Sequence, residues 1–285
     1  MFILLSGESK SGKDTLGNYI YDKLINNNTD IKTTKFAIAD NLKKVCKELV
    51  KLFYGLCLPI EFFHLHDVKD CKVDTHMFNN TPFNIRKILQ YVGTDIFQKY
   101  LGKDIWLRLL YKKNTLSDAE IMTIIEPLST IFHNTKYTID YLFIKIKKIL
   151  SKISAESIFD ENNEYTLNSN KSIFIILDMR FLEEAKHFSQ YNTYIVRIIR
   201  PQVVRSLPQD TTQHEFGDSP IRNILGLNNH ILKTVSYNNL SEIAHISEQE
   251  YKNIDCDLEV MNGSTVLALY AYGDVIINNI MKRIN

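Results

Sequence analysis

An apolar run, Phe2-Ile3-Leu4-Leu5-Ser6, passes directly into Gly7-Glu8-Ser9-Lys10-Ser11-Gly12-Lys13-Asp14-Thr15. No other stretch restricts the fold as much. The run has the continuity of a strand buried on both faces, and behind the loop Leu16, Ile20 and Leu24 recur at helical spacing from Thr15 to Ile25. Strand, glycine loop and helix in that order form a phosphate cradle. Gly7 and Gly12 permit torsions that a Cβ would penalise, the loop amides turn toward an anion, and the helix N-terminus adds positive potential beneath it. Lys13 adds a cation able to follow the β- and γ-phosphates. Gly7, Ser9, Lys10, Ser11, Gly12, Lys13, Asp14 and Thr15 are therefore the expected triphosphate site. A hydroxyl residue usually follows the lysine and binds magnesium; here Asp14 stands in that place and Thr15 comes next. A carboxylate beside triphosphate is repulsive unless a cation lies between them or it faces away. The spacing leaves both Asp14 and Thr15 as magnesium ligands, directly or through water.

At 285 residues the chain can bury a substantial core as one domain, 1–285, with a sizeable insertion. Its 45% apolar and 24% charged content is that of an ordinary globular protein, and a net charge of +1 gives no argument for a nucleic-acid polymer or a membrane surface. No apolar run reaches the length of a membrane span, and the N-terminal run is too short for a signal peptide. Cys46, Cys57, Cys71 and Cys256 lack the paired spacing of a zinc site and suit reduced thiols, so a cytoplasmic location is expected.

Residues 32–38 suit a second strand, with Asp40 as N-cap of a helix through Leu42, Val45, Cys46 and Leu49. His64, His66, Asp70 and His76 fit no metal-ligand pattern well, and solvated or partner-satisfied histidines are the better reading. Pro82 to Leu110 has the spacing of a long helical region and contains Arg86, Gln90, Gly93, Thr94, Asp95 and Trp106, the last foremost a core anchor. Residues 111–170 are expected to be a mainly helical insertion, with amphipathic helices over Ile121–Ile131 and Tyr141–Ile153, placed at the surface and dispensable for chemistry. Ile173 to Leu177 is a central parallel strand ending at Asp178, where ligands bind in open α/β sheets. Asp178 is thus expected to order the magnesium water shell. A further strand, Tyr194 to Ile199, ends at Arg200-Pro201, and the polar, proline-marked segment 201–220 with Arg205, His214 and Glu215 suits a lid. Asp257 to Met261 is a short last strand; Asn262-Gly263 turns the chain into a closing helix.

Together these pieces resemble the phage- and virus-type deoxynucleoside monophosphate kinases, of the nucleoside-monophosphate-kinase-like P-loop fold. The loop at 7–15 looks like that family's, including the aspartate after the lysine. Phe36 to Lys43 resembles its F-A-x-x-D-x-L-K, Arg86 to Asp95 with Asp104-Ile105-Trp106 its R-x-x-L-Q-x-x-G-T-[DE] block, and Asp178 to Ala185 its D-x-R-F-x-x-E-A. Arg197 to Pro201 looks like the strand entering its lid, and Asn262-Gly263 like its last turn. The family often carries H-x-S-E in the lid; here Gln213-His214-Glu215-Phe216 keeps the acid without the serine. The resemblance covers most of the chain except 55–80 and 111–170. The animal-type phosphomevalonate kinases share the loop and the D-x-R element and are the nearest competing activity; a nucleotide-dependent switch protein is the alternative from another class.

The resemblance implies a three-layer α/β fold with a central parallel sheet, helices on both faces and a lid. The implied reaction is ATP + dNMP → ADP + dNDP with Mg²⁺, serving deoxynucleotide biosynthesis, in the host cytoplasm for a viral chain. Lys13, Asp178, Arg180, Arg200 and Arg205 would be catalytic, and Asn262 would join the loop in binding ATP. Asp40, Lys43, Arg86, Gln90, Gly93, Thr94, Asp95, Trp106 and Glu215 would bind the acceptor, and Asp14, Thr15 and Asp178 would serve magnesium. The preferred base, ribose selectivity and a homodimer stay open.

Overall fold

A computed structural model describes residues 1–27, 30–64, 72–73, 83–112, 115–134, 136–159, 172–201, 250–263 and 265–284. Its centre is β1, Phe2–Gly7, in which every residue is buried. Parallel strands flank it on both sides: β5, Ser172–Met179, on one and β6, Thr193–Ile199, on the other. β2, Lys32–Phe36, extends the sheet beyond β5, and β7, Leu258–Met261, extends it beyond β6. The result is a five-stranded, all-parallel sheet in the order β2-β5-β1-β6-β7. The two-residue strands β3, Lys72–Val73, and β4, Phe83–Asn84, pair antiparallel outside it.

Strand periodicity divides the core into two layers. Phe2, Leu4, Phe174 and Ile176 face one side of the sheet, while Ile3, Leu5, Ile173, Ile175, Val196 and Ile198 face the other. Because both faces are covered, Phe2 to Leu5 of β1 and Ile173 to Leu177 of β5 are continuous apolar runs without polar alternation. On the second face lie α1, Lys13–Asn27, through Leu16, Ile20 and Leu24, and α8, Val266–Ile284, through Leu269, Ile276 and Ile280. The first face carries α2, Asp40–Tyr54, and α3, Ile85–Gln90. Helices on both faces of a parallel sheet meet the fold expectation.

The expected long helix over 82–110 is broken into pieces. α3 widens into a π-helical stretch, Tyr91–Gln98, and after Leu101 the chain turns at Gly102 (φ 103°) before the short α4, Ile105–Arg108. A pattern search at 3.6 residues per turn does not register such widening, which often accompanies functional sites. Asp40 is not an N-cap: the capping position is Ala39, and Asp40 occupies the first turn of α2.

The segment after residue 111 contains α5, Asp118–Ile131, and α6, Ile139–Ala155. Ser117 and Glu120 form a reciprocal capping box at the start of α5, and Thr138 caps α6. These helices are not peripheral. Ile124, Leu128 and Leu142 are fully buried in the same core as Phe2 and Leu4, and α6 packs on α2. The Leu109 carbonyl, which accepts from Asn41 of α2 at 2.6 Å, also accepts from Ser157 at 2.5 Å. The expected surface placement is thereby corrected: these helices cover the apolar face of α2. Among the described residues, no helix is long and apolar enough to cross a membrane.

Replacing residues 115–156 by a short linker should therefore abolish cooperative unfolding followed by circular dichroism. A soluble deletion with a sharp thermal transition would show that α5 and α6 are accessory.

Candidate active site

The C-terminal ends of β1, β2 and β5 open into one cavity of about 590 Å³, a volume suited to small-molecule ligands. Its first wall is the glycine loop after β1, contributing Ser9 to Asp14. Gly7 and Gly12 have φ values of 148° and 101°, and Lys10 also lies at positive φ, 61°. A Cβ on Gly7 would come within 2.4 Å of the Ile198 carbonyl oxygen, and one on Gly12 within 2.6 Å of the Asn262 amide nitrogen. Gly7 is thus closed to larger residues by conformation and by the backbone behind it, and Gly12 by its conformation.

The loop is braced from behind. Asn262, just past β7, donates to the Ser11 carbonyl at 2.7 Å, and Arg200, just past β6, donates to the Lys10 carbonyl at 3.1 Å. Tyr251 donates to the Glu8 carboxylate at 3.0 Å. Lys13 is buried and donates from Nζ to the carbonyls of Gly7 at 2.7 Å and Glu8 at 2.5 Å. The hydroxyl of Ser11 is buried without a hydrogen-bond partner among the described residues.

The opposite wall joins the loop after β2 to the end of β5. Asp178 accepts from the amide of Ile38 on one carboxylate oxygen, at 2.6 Å, and from the amide of Ala39 on the other, at 3.0 Å. Asp40 accepts from the amide of Ala37 at 2.9 Å and from Lys43 at 2.9 Å. Two carboxylates thus capture three successive amides where β2 turns into α2, satisfying donors that the turn leaves open. Burial pushes the Asp178 carboxyl above the usual carboxylate range, with the charges of Lys43 and Arg180 opposing the rise. Burial pushes Asp40 the same way, but the ammonium and hydrogen bond of Lys43 outweigh it and leave its pKa lowered.

Beyond β5, Glu184 of α7, Leu182–Phe188, accepts on one oxygen from the amides of Arg180 at 2.7 Å and Phe181 at 3.0 Å. Burial raises its pKa from an ordinary 4.5 to about 8 despite those amides, with the neighbouring charge of Asp178 adding to the rise. Arg86 and Gln90 of α3, then Gly93, Thr94 and Gln98 of the π-helical stretch, complete the enclosure with Trp106 of α4. Trp106 is also the expected core anchor: it stacks on Phe97 at 5.0 Å and donates from its ring nitrogen to the Gly93 carbonyl at 3.2 Å.

Of the residues expected from sequence, Ser9, Lys10, Ser11, Gly12, Lys13, Asp14, Lys43, Arg86, Gln90, Gly93, Thr94, Trp106, Asp178 and Arg180 line this one cavity. Others do not. Thr15 and Asp95 are exposed and lie off its walls. Arg200 and Asn262 hold the loop from behind, Asp40 acts behind the wall, and Gly7 lies beneath the loop with its carbonyl on Lys13. Arg205 and Glu215, with the 202–220 part of the expected lid, fall outside the described residues, as do His66, Asp70 and His76. His64 lies 3.3 Å from the Lys43 ammonium, in the partner-satisfied arrangement preferred above. Glu184, Asn18 and Gln98 also line the cavity and were not singled out as ligands from sequence. Glu184 had a signal, its place in the Asp178 to Ala185 motif; an isolated glutamine or asparagine in a helix carries none.

No protein-family model matches the chain. Over 101 residues it is 36% identical to a protein of Acanthamoeba polyphaga mimivirus described as "Putative deoxynucleotide monophosphate kinase", a match covering 35% of this chain and 44% of that protein.

The raised pKa of Glu184 fixes the sign of a pH effect. The folded state holds this proton up to about pH 8, while the unfolded chain releases it near 4.5, so stability should fall as pH rises through that window. In Glu184→Gln this fall should be flattened, measured as urea midpoints between pH 5 and 8; parallel curves for both proteins would remove Glu184 as its source.

Proposed function

We propose that the chain is an ATP-dependent kinase transferring the γ-phosphoryl group to a deoxynucleoside monophosphate, giving ADP and a deoxynucleoside diphosphate. One observation carries this reading. A single cavity places the glycine loop and Lys13 on one wall and three further cations, Lys43, Arg86 and Arg180, on others, so two phosphate-bearing ligands can meet within it. The named mimivirus protein supports the same acceptor class.

In this reaction a phosphate oxygen of the acceptor attacks the γ-phosphorus while the bond to the ADP oxygen breaks, with both oxygens in line. Little covalent chemistry falls to the protein; placement, charge neutralisation and exclusion of water do the work. Lys13 would exchange the carbonyls of Gly7 and Glu8 for phosphate oxygens, keeping its ammonium satisfied in both states. Arg86 would grip the acceptor phosphate, and Arg180 would stabilise charge on the group in transit.

Magnesium fits the donor set. Among the described residues no cluster of three or more histidine, cysteine or acidic side chains could hold a metal. Asp14 lines the cavity beside Lys13, and magnesium sites in such enzymes need only one or two carboxylates together with substrate phosphates and water. Bound there, the ion would neutralise charge between the β- and γ-phosphates. With both oxygens of Asp178 engaged by backbone amides, Asp14 is the better ligand, and Asp178 would act through water and by holding the wall.

Incubation with ATP and magnesium, presenting each deoxynucleoside monophosphate, phosphomevalonate or no acceptor, tests the assignment. Transfer to at least one deoxynucleotide and none to phosphomevalonate is expected; turnover of phosphomevalonate alone, or acceptor-independent hydrolysis, would overturn it. Lys13→Ala should lower kcat by about 100-fold or more with the thermal transition preserved. Near-normal turnover in that variant would remove the loop from the chemistry. Arg86→Ala should raise the acceptor KM by on the order of 30- to 1000-fold and leave that of ATP nearly unchanged. Equal effects on both substrates would make Arg86 structural.

A further inference from the structure

Gln98 is the buried carboxamide in the walls of the cavity. Only 8% of the residue is exposed, and that exposure is to the cavity it lines. Its carboxamide makes no hydrogen bond to any described residue. Elsewhere in the walls the buried carboxylates are engaged by protein donors, as Asp178 and Glu184 are. A carboxamide carries two donors and an acceptor, and with no partner among the described residues these are open to the molecule that fills the cavity. Sequence position explains how Gln98 comes to lie there. It closes the π-helical stretch Tyr91–Gln98, and with Ile96 and Phe97 it forms a run of three consecutive buried residues, which a one-sided surface helix does not show.

The surroundings define what that molecule is. Phe97, next in the chain, stacks at 21° on Trp106, whose ring nitrogen is already satisfied by the Gly93 carbonyl, so the indole is fixed and offers the same cavity an apolar surface. The cations of the walls, Arg86 among them, are separate in chemistry from this corner and suit the phosphate end of a ligand. The complement of a fixed aromatic surface and a neutral donor–acceptor pair is a planar heterocycle with a donor and an acceptor side by side on its edge. Arginine or lysine at this place would read acceptors alone; a glutamine can match a paired edge.

We infer that Gln98 reads the hydrogen-bonding edge of the acceptor's nucleobase and sets which base the enzyme prefers. The inference rests on the proposed deoxynucleoside monophosphate acceptor and adds a specificity determinant to it. Its effect is discrimination, because a site built to pair with a base edge penalises a base that leaves the carboxamide unpaired.

The test compares kcat/KM for dAMP, dGMP, dCMP and dTMP at saturating Mg·ATP in the full chain and in Gln98→Ala, Gln98→Glu and Gln98→Met. Methionine has a similar volume and carries the comparison if alanine unfolds the chain, as judged by thermal melting. The unaltered protein should prefer one or two bases. The alanine and methionine variants should lose about 10- to 100-fold of that preference through the KM of the favoured acceptor, with the KM of ATP unchanged. Gln98→Glu, which exchanges the donor for a second acceptor, should reorder the bases. Unchanged ratios among the four acceptors, or a uniform loss on all of them, would overturn the role of Gln98 while leaving the kinase assignment standing. Failure of the unaltered protein to phosphorylate any of the four would instead overturn the acceptor class itself.

Discussion

Asp178 holds the site together. Its carboxylate reaches from the end of β5 to the amides of Ile38 and Ala39, 140 and 139 residues earlier in the chain. With Asp40 on Ala37, this contact fixes where β2 ends and at what angle α2 leaves the sheet. α2 carries Lys43 into the cavity and supports α6 on its other side. A hydrogen bond from a backbone amide to a carboxylate is stronger than one between neutral groups, and it is worth most where water is scarce. The same burial raises the pKa of Asp178, so the wall is built from a group held against its own preference for solvent.

A second set of braces serves the glycine loop. The amides of a glycine loop point at an anion only if its carbonyls are directed elsewhere. Here Asn262 takes the Ser11 carbonyl, Arg200 takes that of Lys10, and Lys13 takes those of Gly7 and Glu8. The two from Asn262 and Arg200 can persist when a ligand arrives; in the proposed reaction those of the lysine would change. Apart from the Lys13 side chain, which in the proposed reaction would move onto phosphate oxygens, the loop is thus held in advance of any ligand, which would keep the reorganisation on binding small.

The two walls differ in how they treat charge. On the loop side stand neutral amides and the Lys13 ammonium. Across the cavity, acids and bases alternate: Asp178 and Glu184 are each tied to backbone donors, and Arg180 lies between them in sequence. On this wall the Lys43 ammonium is balanced by Asp40 at 2.9 Å before any ligand is present.

Local sequence settled what depends on near neighbours. Phe2 to Thr15 had to become a buried strand, a strained loop and a helix, because glycine positions, apolar continuity and helical spacing are properties of adjacent residues. The same is true of β5 ending at Asp178, and so most of the residues that line the cavity were legible. Tertiary structure decided what those groups do. Asn262 and Arg200, expected at the nucleotide, bond to loop carbonyls, and Asp178 to amides, because a hydrogen bond is assigned by geometry across a sheet and not by residue type. α5 and α6, which pattern alone would leave at the surface, belong to the main core because α2 offers them an apolar face. Gln98 was illegible for a related reason: glutamine is at home on any exposed helix, and only the π-helical widening and the walls around it reveal a buried residue whose carboxamide bonds to no described residue.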